Sequence, residues 1–289
     1  MSSTIYKDIE AKTTLMKLYD EKLQSINIEF EERDIDTFAG NTHVVITGNP
    51  KGKPVVLFHG INAGAPLTLE AVKGLREDYL LYVVDSIGQT TKSAETRLPF
   101  AGDSLAKWIV EVLDELHLTK AIFVGVSYGA FFLNKLLTYY PQRIEKAIYV
   151  VPSGFANGEF MPSMKKLSFP LIQFLISKKQ SHLLKFMDAF YDTKDEYSQS
   201  FHRTTLLGVK MDYRKPLILK TEEALHFDAP VFVMVADNDI FFPGHTTLER
   251  GKSIFRNLID TYILKSSKHM PEADRFPEIV KVLMKWLKS

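Results

Sequence analysis

The chain has 289 residues, of which 45% are hydrophobic, and it carries 36 Lys and Arg, 35 Asp and Glu, and no Cys. This composition is typical of a globular protein with one large core, or a core with a smaller inserted domain. The balanced charge argues against nucleic acid or a membrane as a partner, and the lack of Cys excludes disulfides and thiolate chemistry. The sequence shows no signal peptide and no apolar run that would span a bilayer, so we expect a soluble, cytoplasmic protein.

The first predicted element is a helical extension over residues 1–27, which carries no functional motif. Seven nearly continuous apolar runs follow, and such runs are typical of strands buried on both faces of a sheet. They cover residues 43–48, 54–60, 79–85, 121–126, 146–151, 230–237 and 260–265. Amphipathic helices lie between them, one of which begins after Asp103 and repeats apolar residues at helical spacing to Leu116. This alternation predicts an α/β fold with a mostly parallel, doubly wound sheet flanked by helices.

One long segment, residues 155–225, contains helical patterns but no convincing strand. We interpret it as a helical cap, or lid, on an α/β core formed by residues 28–154 and 226–289. Its many Phe and Met residues suggest an apolar pocket below the cap, although core packing is the more common role of any one of them. The lysine pairs of this segment are interpreted as solvated faces: Lys165 with Lys166, and Lys178 with Lys179.

A serine between two glycines follows the predicted strand 121–126 and precedes a predicted helix. Gly125, Ser127 and Gly129 form the pattern G-x-S-x-G. Glycines suit this position because a strand that turns sharply into a helix crowds the side chains around the turn. The five-residue pattern alone is weak, but its placement between a strand and a helix indicates a nucleophilic serine.

A serine hydroxyl is a poor nucleophile at neutral pH and needs a base and a carboxylate that orients the base. His269 lies in the loop after the last predicted strand, which makes it the candidate base. The loop after strand 230–237 offers two carboxylates, and we favour Asp239, while Asp237 is interpreted as a brace for the turn. The other histidines fit less well by position: His59, His117, His202, His226 and His245.

Acyl transfer also requires donors for the developing oxyanion. The expected donors are the backbone amides of Tyr128, which follows the serine, and of Ile61, in the loop "HGINAG". His59 and Gly60 of that loop, together with Phe155 at the start of the cap, are candidate substrate contacts. No metal ligand set is indicated.

Five stretches of the chain resemble the α/β-hydrolase superfamily, in its lid-bearing, serine carboxylesterase-like branch. They are "PVVLFHGINAG", "YLLYVVDSIGQTTKS", "VGVSYGAFF", "VADNDIFFP" and "SSKHMPEADRFPEIV". The resemblance spans about residues 40 to 289 and runs in the order of the family. It implies Ser127 as nucleophile, Asp239 as acid and His269 as base, with no metal or organic cofactor.

The chain departs from the family at one loop. Many relatives carry D-x-x-G-x-G-x-S, whereas this chain has Asp85 and Gly88 but Thr90 in place of the second glycine. Because that loop shapes the entrance of the site in relatives, the departure concerns substrate choice more than the catalytic residues.

The expected function is hydrolysis of a small or medium apolar ester through an acyl-enzyme. The serine argues against dehalogenases and epoxide hydrolases, which use an aspartate nucleophile. Other chemistries of the fold remain open, namely lyase, perhydrolase, oxygenase and C–C hydrolase activity, as does a small-molecule receptor with a protein partner. A long-chain lipase is the least expected, since the sequence indicates no extended exposed apolar surface.

Overall fold

The computed structural model describes residues 4–289, so residues 1–3 of the predicted helical extension lie outside it. Within this described part of the chain, eight strands form one sheet. They are β1 (Glu31–Thr37), β2 (Gly40–Gly48), β3 (Lys53–Phe58), β4 (Tyr79–Val84), β5 (Ala121–Val126), β6 (Ile144–Val150), β7 (Val231–Ala236) and β8 (Leu258–Leu264). The α-helices are α1 (Ile9–Ser25), α2 (Gly64–Val72), α3 (Ser104–Glu115), α4 (Gly129–Tyr139), α5 (Phe160–Ser163), α6 (Phe169–Ser177), α7 (Gln180–Met187), α8 (Glu196–Gly208), α9 (Gly244–Ile254) and α10 (Phe276–Lys288).

The strands follow the order β1-β2-β4-β3-β5-β6-β7-β8 across the sheet. The last six strands in this order, β4-β3-β5-β6-β7-β8, pair in parallel, while β2 runs antiparallel to both β1 and β4. The chain is therefore an α/β protein with a mostly parallel sheet, as predicted. Because parallel strands share one carboxyl edge, the loops after β3, β5, β7 and β8 meet at the same side of the sheet.

The sequence did not predict the first strand. β1 reads EERDIDT, and only Ile35 of these seven residues is buried. It is an edge strand that pairs with β2 alone. Polar side chains suit such an edge because they discourage pairing with other chains, but they remove the apolar pattern by which strands are recognised.

Helices cover both faces of the sheet. Val56 and Phe58 of β3 pack into a core with residues of α3, α4 and α9, whereas Val55 and Leu57 pack on the opposite face with residues of α2 and α10. The alternation follows from the two-residue period of a strand. Within the described residues, no helix is both long and apolar enough to cross a membrane.

The helix α1 connects two parts of the chain that are distant in sequence. Tyr19 and Leu23 pack on the face of the sheet that carries α2 and α10. Leu15 packs instead with Phe201 and Val209 at the end of the cap. The N-terminal helix therefore contacts both the sheet layer and the cap.

The cap lies between β6 and β7 and consists of α5, α6, α7 and α8, with a π-helical turn at Met164–Ser168 between the first two. Its buried side chains include Phe174, Met187 and Phe190, which pack with Phe241 and Met270 from the loops after β7 and β8. The cap therefore rests on the loops at the carboxyl edge of the sheet.

Candidate active site

Ser127 occupies a sharp turn between β5 and α4. Its φ of 51° lies in the left-handed region, which is strained for a residue other than glycine. A Cβ atom on Gly125 would lie 2.8 Å from Cα of Ala130, and one on Gly129 would lie 2.1 Å from the carbonyl oxygen of Phe58. Both glycines are therefore required by close backbone approach, and they allow the serine to stand above the edge of the sheet.

The structure brings Ser127, His269 and Asp239 into one hydrogen-bonded chain. The Oγ atom of Ser127 lies 2.9 Å from Nε2 of His269. The Nδ1 atom of His269 lies 2.6 Å from Oδ2 of Asp239. All three side chains are buried. An N–H at Nδ1 that donates to the carboxylate leaves Nε2 free to accept the serine proton.

Asp239 is fixed by its own loop. Its second oxygen, Oδ1, accepts hydrogen bonds from the backbone amides of Phe241 at 2.8 Å and Phe242 at 3.1 Å. The rings of Phe241 and Phe242 pack edge-on against the imidazole of His269, with centroids 5.1 and 5.6 Å away. The same loop therefore orients the carboxylate and confines the histidine. These ring contacts were not predicted from the sequence, although both phenylalanines lie within three residues of the predicted acid.

Asp237 has a different role. It accepts hydrogen bonds from the backbone amides of Ser266 at 2.9 Å and Ser267 at 3.1 Å. Burial would raise the pKa of its carboxyl group, but these two amides and the nearby charge of Lys265 hold the pKa below its usual value. Asp237 thus braces the loop that leads to His269, in agreement with its interpretation as a turn brace.

The loop after β3 lies against the serine. A Cβ atom on Gly60 would lie 3.5 Å from Cβ of Ser127 and 3.9 Å from its Oγ. Neither the Ile61 amide nor the Tyr128 amide donates to a backbone carbonyl anywhere in the described chain. Two amides without backbone acceptors beside the Ser127 hydroxyl suit an anionic oxygen.

His59 and Phe155 are not brought to the surface of the site. His59 is fully buried: its Nδ1 lies 2.6 Å from the carbonyl oxygen of Gly60, and its Nε2 accepts a hydrogen bond from the Ser86 amide at 2.8 Å. Burial lowers the pKa of His59 despite the charge of Asp85, so the ring is a neutral brace below the loop.

Phe155 is a core residue. Its ring packs against Tyr149 and Phe255 with centroid distances of 4.9 and 5.6 Å, and it is almost fully buried. The chain turns inward before the cap helices begin, and the Phe155 ring packs in the same core cluster as residues of α9. Of the three predicted substrate contacts, only Gly60 therefore lies beside Ser127.

A narrow pocket begins beside Ile61 and Tyr128. Its apolar wall is formed by Phe100, Leu105 and Phe132. At its outer edge, the guanidinium of Arg214 stacks 4.1 Å above the ring of Phe100 and donates to Asp212 at 2.9 Å. The pocket combines apolar walls with a few polar groups, which is the usual make-up of a small-molecule site.

Gln89 and Thr90, from the loop that departs from the family pattern, hold the strand-β3 loop in place. The Oε1 atom of Gln89 accepts a hydrogen bond from the Asn62 amide at 2.5 Å. The Thr90 amide donates to Oδ1 of Asn62 at 3.2 Å. The Thr90 hydroxyl donates to the backbone carbonyl oxygen of Asn62, also at 3.2 Å. Asn62 has a φ of 57°, so these bonds support a strained backbone directly after Ile61. The departure of this loop from the family pattern is visible in the sequence, but its hydrogen bonds to Asn62 were not predicted.

The site contains no metal ligand set. In residues 4–289, no three or more His, Asp or Glu side chains are grouped so that they could hold a metal ion. The chemistry that these residues can perform themselves is nucleophilic attack by a hydroxyl with a histidine as proton acceptor.

Comparison with known proteins agrees with this architecture. The chain is 23% identical over 284 residues to the carboxylesterase YbfK of Bacillus subtilis, covering 94% of this chain and 92% of that protein. It is 21% identical over 263 residues to a second Bacillus subtilis protein, the uncharacterized carboxylesterase nap, covering 87% and 85%. The crystal structure of naproxen esterase from Bacillus subtilis superposes with a TM-score of 0.81 at 19% identity and covers 95% of this chain and 97% of that one.

The family model of the α/β hydrolase fold matches residues 53–204, which is more than half of the chain. This range contains the strand-β3 loop, the serine turn and most of the cap. Together with the sheet topology, the match shows that the chain belongs to the α/β hydrolase fold family.

Proposed function

We propose that the protein is a serine carboxylic ester hydrolase in which Ser127 is the nucleophile, His269 the general base and acid, and Asp239 the residue that orients the histidine. The observation that carries the proposal is the hydrogen-bonded chain of these three side chains, with distances of 2.9 and 2.6 Å. The relatives that share most of its length are named carboxylesterases, and this favours esters over the other substrates of the fold.

In the first half of the reaction, the Ser127 hydroxyl attacks the ester carbonyl carbon while its proton passes to Nε2 of His269. The resulting oxyanion accepts hydrogen bonds from the Ile61 and Tyr128 amides, each worth about 3 kcal/mol in the transition state. His269 then donates the proton to the leaving alcohol, and an acyl group remains on Ser127. Asp239 stabilises the imidazolium that forms between these two steps.

In the second half, a water molecule takes the place of the alcohol. His269 accepts a proton from the water, which attacks the acyl carbon, and the same amides stabilise the second oxyanion. The proton then returns to Ser127 as the acid leaves. No other reactant is needed for ester hydrolysis.

The narrow apolar pocket favours a substrate with a small or medium apolar group. Aromatic and aliphatic side chains at Phe100, Leu105 and Phe132 offer apolar surface, and burial of a substrate group against it contributes about 25 cal/mol per Å². Long acyl chains would extend past Arg214 at its outer edge. We therefore expect a maximum of activity at short or medium chain length.

The test is hydrolysis of p-nitrophenyl esters from acetate to palmitate by the wild type, Ser127→Ala and Ser153→Ala. Ser153 is a matched control because it is buried beside the site, its amide donates to the Ser127 carbonyl at 3.1 Å, and its hydroxyl has no partner in the described residues. We expect Ser127→Ala to lose about 10⁴-fold or more in kcat and Ser153→Ala to remain active. Equal activity in all three would refute the assignment, whereas no activity in any would favour a lyase, an oxygenase or a receptor.

A further inference from the structure

The outer surface of the first cap helices is apolar. Met161, Phe169 and Ile176 are 71%, 57% and 80% exposed, although side chains of this size are normally buried. They belong to a set that we call the apolar cap face. It consists of Phe160, Met161, Met164, Phe169, Ile172, Leu175 and Ile176.

The apolar cap face is one side of a continuous helical segment. Met161, Phe169, Ile172 and Ile176 recur at helical spacing, while Phe174, on the opposite side, is fully buried against the rest of the cap. Single exposed apolar side chains are common on protein surfaces, but here seven lie within the one helical segment 160–176. Patches of this kind mark surfaces that contact a partner or a membrane.

The charge within this stretch of the cap is positive. Residues 160–187 contain five Lys and no Asp or Glu, although the whole chain has a formal net charge of only +1. The five are Lys165, Lys166, Lys178, Lys179 and Lys185, and all are exposed. The stretch is bordered by two acidic residues, the exposed Glu159 and Asp188, which pairs with Lys194. None of the five forms an ion pair with another described residue.

Two of the lysines lie within the segment of the apolar cap face, and two follow its end. Lys165 and Lys166 lie in the π-helical turn before α6, and Lys178 and Lys179 follow its last residue. A second copy of the chain would bring like charges together across the face, which disfavours self-association. Nucleic acid would satisfy the charges but not the apolar side chains.

An anionic lipid surface satisfies both requirements. The apolar side chains can enter the boundary between headgroups and acyl chains, while the ammonium groups remain at the level of the lipid phosphates. We propose that the protein docks on anionic membranes through the apolar cap face and the lysines of the same segment. This is peripheral binding by a surface, and it needs no helix that spans the bilayer.

The position of this face relates it to the active site. On the buried side of α6, Phe174 belongs to the same cluster as Phe190. The ring of Phe190 lies 5.3 Å from that of Phe241, which in turn lies 5.1 Å from the imidazole of His269. Docking would therefore bring the cap side of the protein to the lipid. The docking proposal does not depend on the proposed esterase activity.

The test is co-sedimentation of the full chain with sucrose-loaded vesicles of phosphatidylcholine alone or mixed with phosphatidylglycerol. We expect binding to the mixed vesicles that weakens with added salt, and at least tenfold weaker binding to phosphatidylcholine alone. The variant Lys165→Gln/Lys166→Gln should bind the mixed vesicles less tightly by about fivefold for each lysine removed. The variant Phe169→Ser/Ile172→Ser/Ile176→Ser should lose about tenfold or more on both vesicle types.

Control variants carry substitutions of the same kind elsewhere on the surface. Lys51→Gln/Lys73→Gln removes two exposed lysines, and Ile259→Ser removes an exposed apolar side chain, far from the cap in sequence. These controls should bind as the wild type does, and thermal unfolding of every variant shows whether its fold is kept. Equal binding to both vesicle types, no binding to either, or loss of binding in the controls would overturn the proposal. A dimer in solution that the triple serine variant abolishes would overturn it as well.

Discussion

Oδ2 of Asp239 lies 2.6 Å from Nδ1 of His269, on the side of the imidazole opposite Ser127. The carboxylate of Asp237, two residues earlier, accepts hydrogen bonds from backbone amides of the neighbouring loop instead. The two carboxylates lie two residues apart in the chain, yet only that of Asp239 is placed to orient His269. This difference can be measured with the same substitution at both positions.

We expect Asp239→Asn to lower kcat for ester hydrolysis by about 10⁴-fold. The Asn amide would donate to Nδ1 of His269, so the ring proton would move to Nε2, which could then no longer accept the Ser127 proton. Asp237→Asn should keep most of the activity and lose stability, because a neutral oxygen accepts the two loop amides less strongly. Steady-state kinetics and thermal unfolding of both variants separate these effects. A similar loss of kcat in both would contradict the assignment of Asp239.

The glycines of the serine turn lead to a second prediction. A Cβ atom on Gly129 would lie 2.1 Å from the Phe58 carbonyl oxygen, so Gly129→Ala must push α4 away from β3. We expect a loss of about 3 kcal/mol in the free energy of unfolding. Gly251→Ala is the control, because its Cβ would lie 3.7 Å from the Phe155 ring, in ordinary contact, and alanine favours a helix by up to about 1 kcal/mol. Chemical denaturation should show opposite shifts for the two variants, and equal shifts would contradict the packing argument.

Much of the site could be predicted because the fold determines where strand ends meet. A nucleophile after β5, a carboxylate after β7 and a histidine after β8 converge at one edge of a parallel sheet whatever the details of packing. Ser127, Asp239 and His269 were therefore found from their positions between the apolar runs.

Other features depend on packing that the sequence does not encode locally. A helix with an apolar stripe has the same spacing whether the stripe faces a pocket, a core or solvent. Phe155 points into the core, whereas Phe169 points outward, and no pattern separates them. For the same reason the exposed apolar surface of the cap was not expected from the sequence. The edge strand β1 was missed because its polar side chains hide the two-residue period.

The loop that departs from the family pattern yields a third prediction. Gln89 accepts the Asn62 amide and so fixes the backbone that follows Ile61. We expect Gln89→Leu to lower kcat by about tenfold, with KM changed less than kcat, because a displaced oxyanion donor affects the transition state more than substrate binding. Gln173→Leu is the matched control, since the Oε1 atom of Gln173 has no partner within the described residues. A change in KM alone would place Gln89 in substrate binding, contrary to this prediction.

A last prediction concerns a second histidine–carboxylate pair, outside the proposed catalytic residues. Nδ1 of His43 lies 3.1 Å from Oδ2 of the buried Asp85, and its Nε2 lies 3.0 Å from Oε1 of Glu32. Lys92 contacts Glu32 as well, and its charge also acts on the ring. Burial and Lys92 lower the pKa of His43, but the hydrogen bond and charge of Asp85, together with the charge of Glu32, raise it above its usual value.

Since the pKa of His43 is higher in the folded state than in the unfolded chain, its protonated form stabilises the fold. That contribution is complete below the unfolded pKa of about 6.5 and is lost as the pH rises through the folded pKa. Asp85 does not alter the trend above neutral pH, because burial alone would raise its pKa but the hydrogen bond and charge of His43 hold it below the usual value. The free energy of unfolding of the wild type minus that of His43→Gln should therefore fall as the pH rises above about 6.5. Urea unfolding at a series of pH values from acid to alkaline measures this difference. A flat difference would mean that folding leaves the pKa of His43 unchanged, contrary to this prediction.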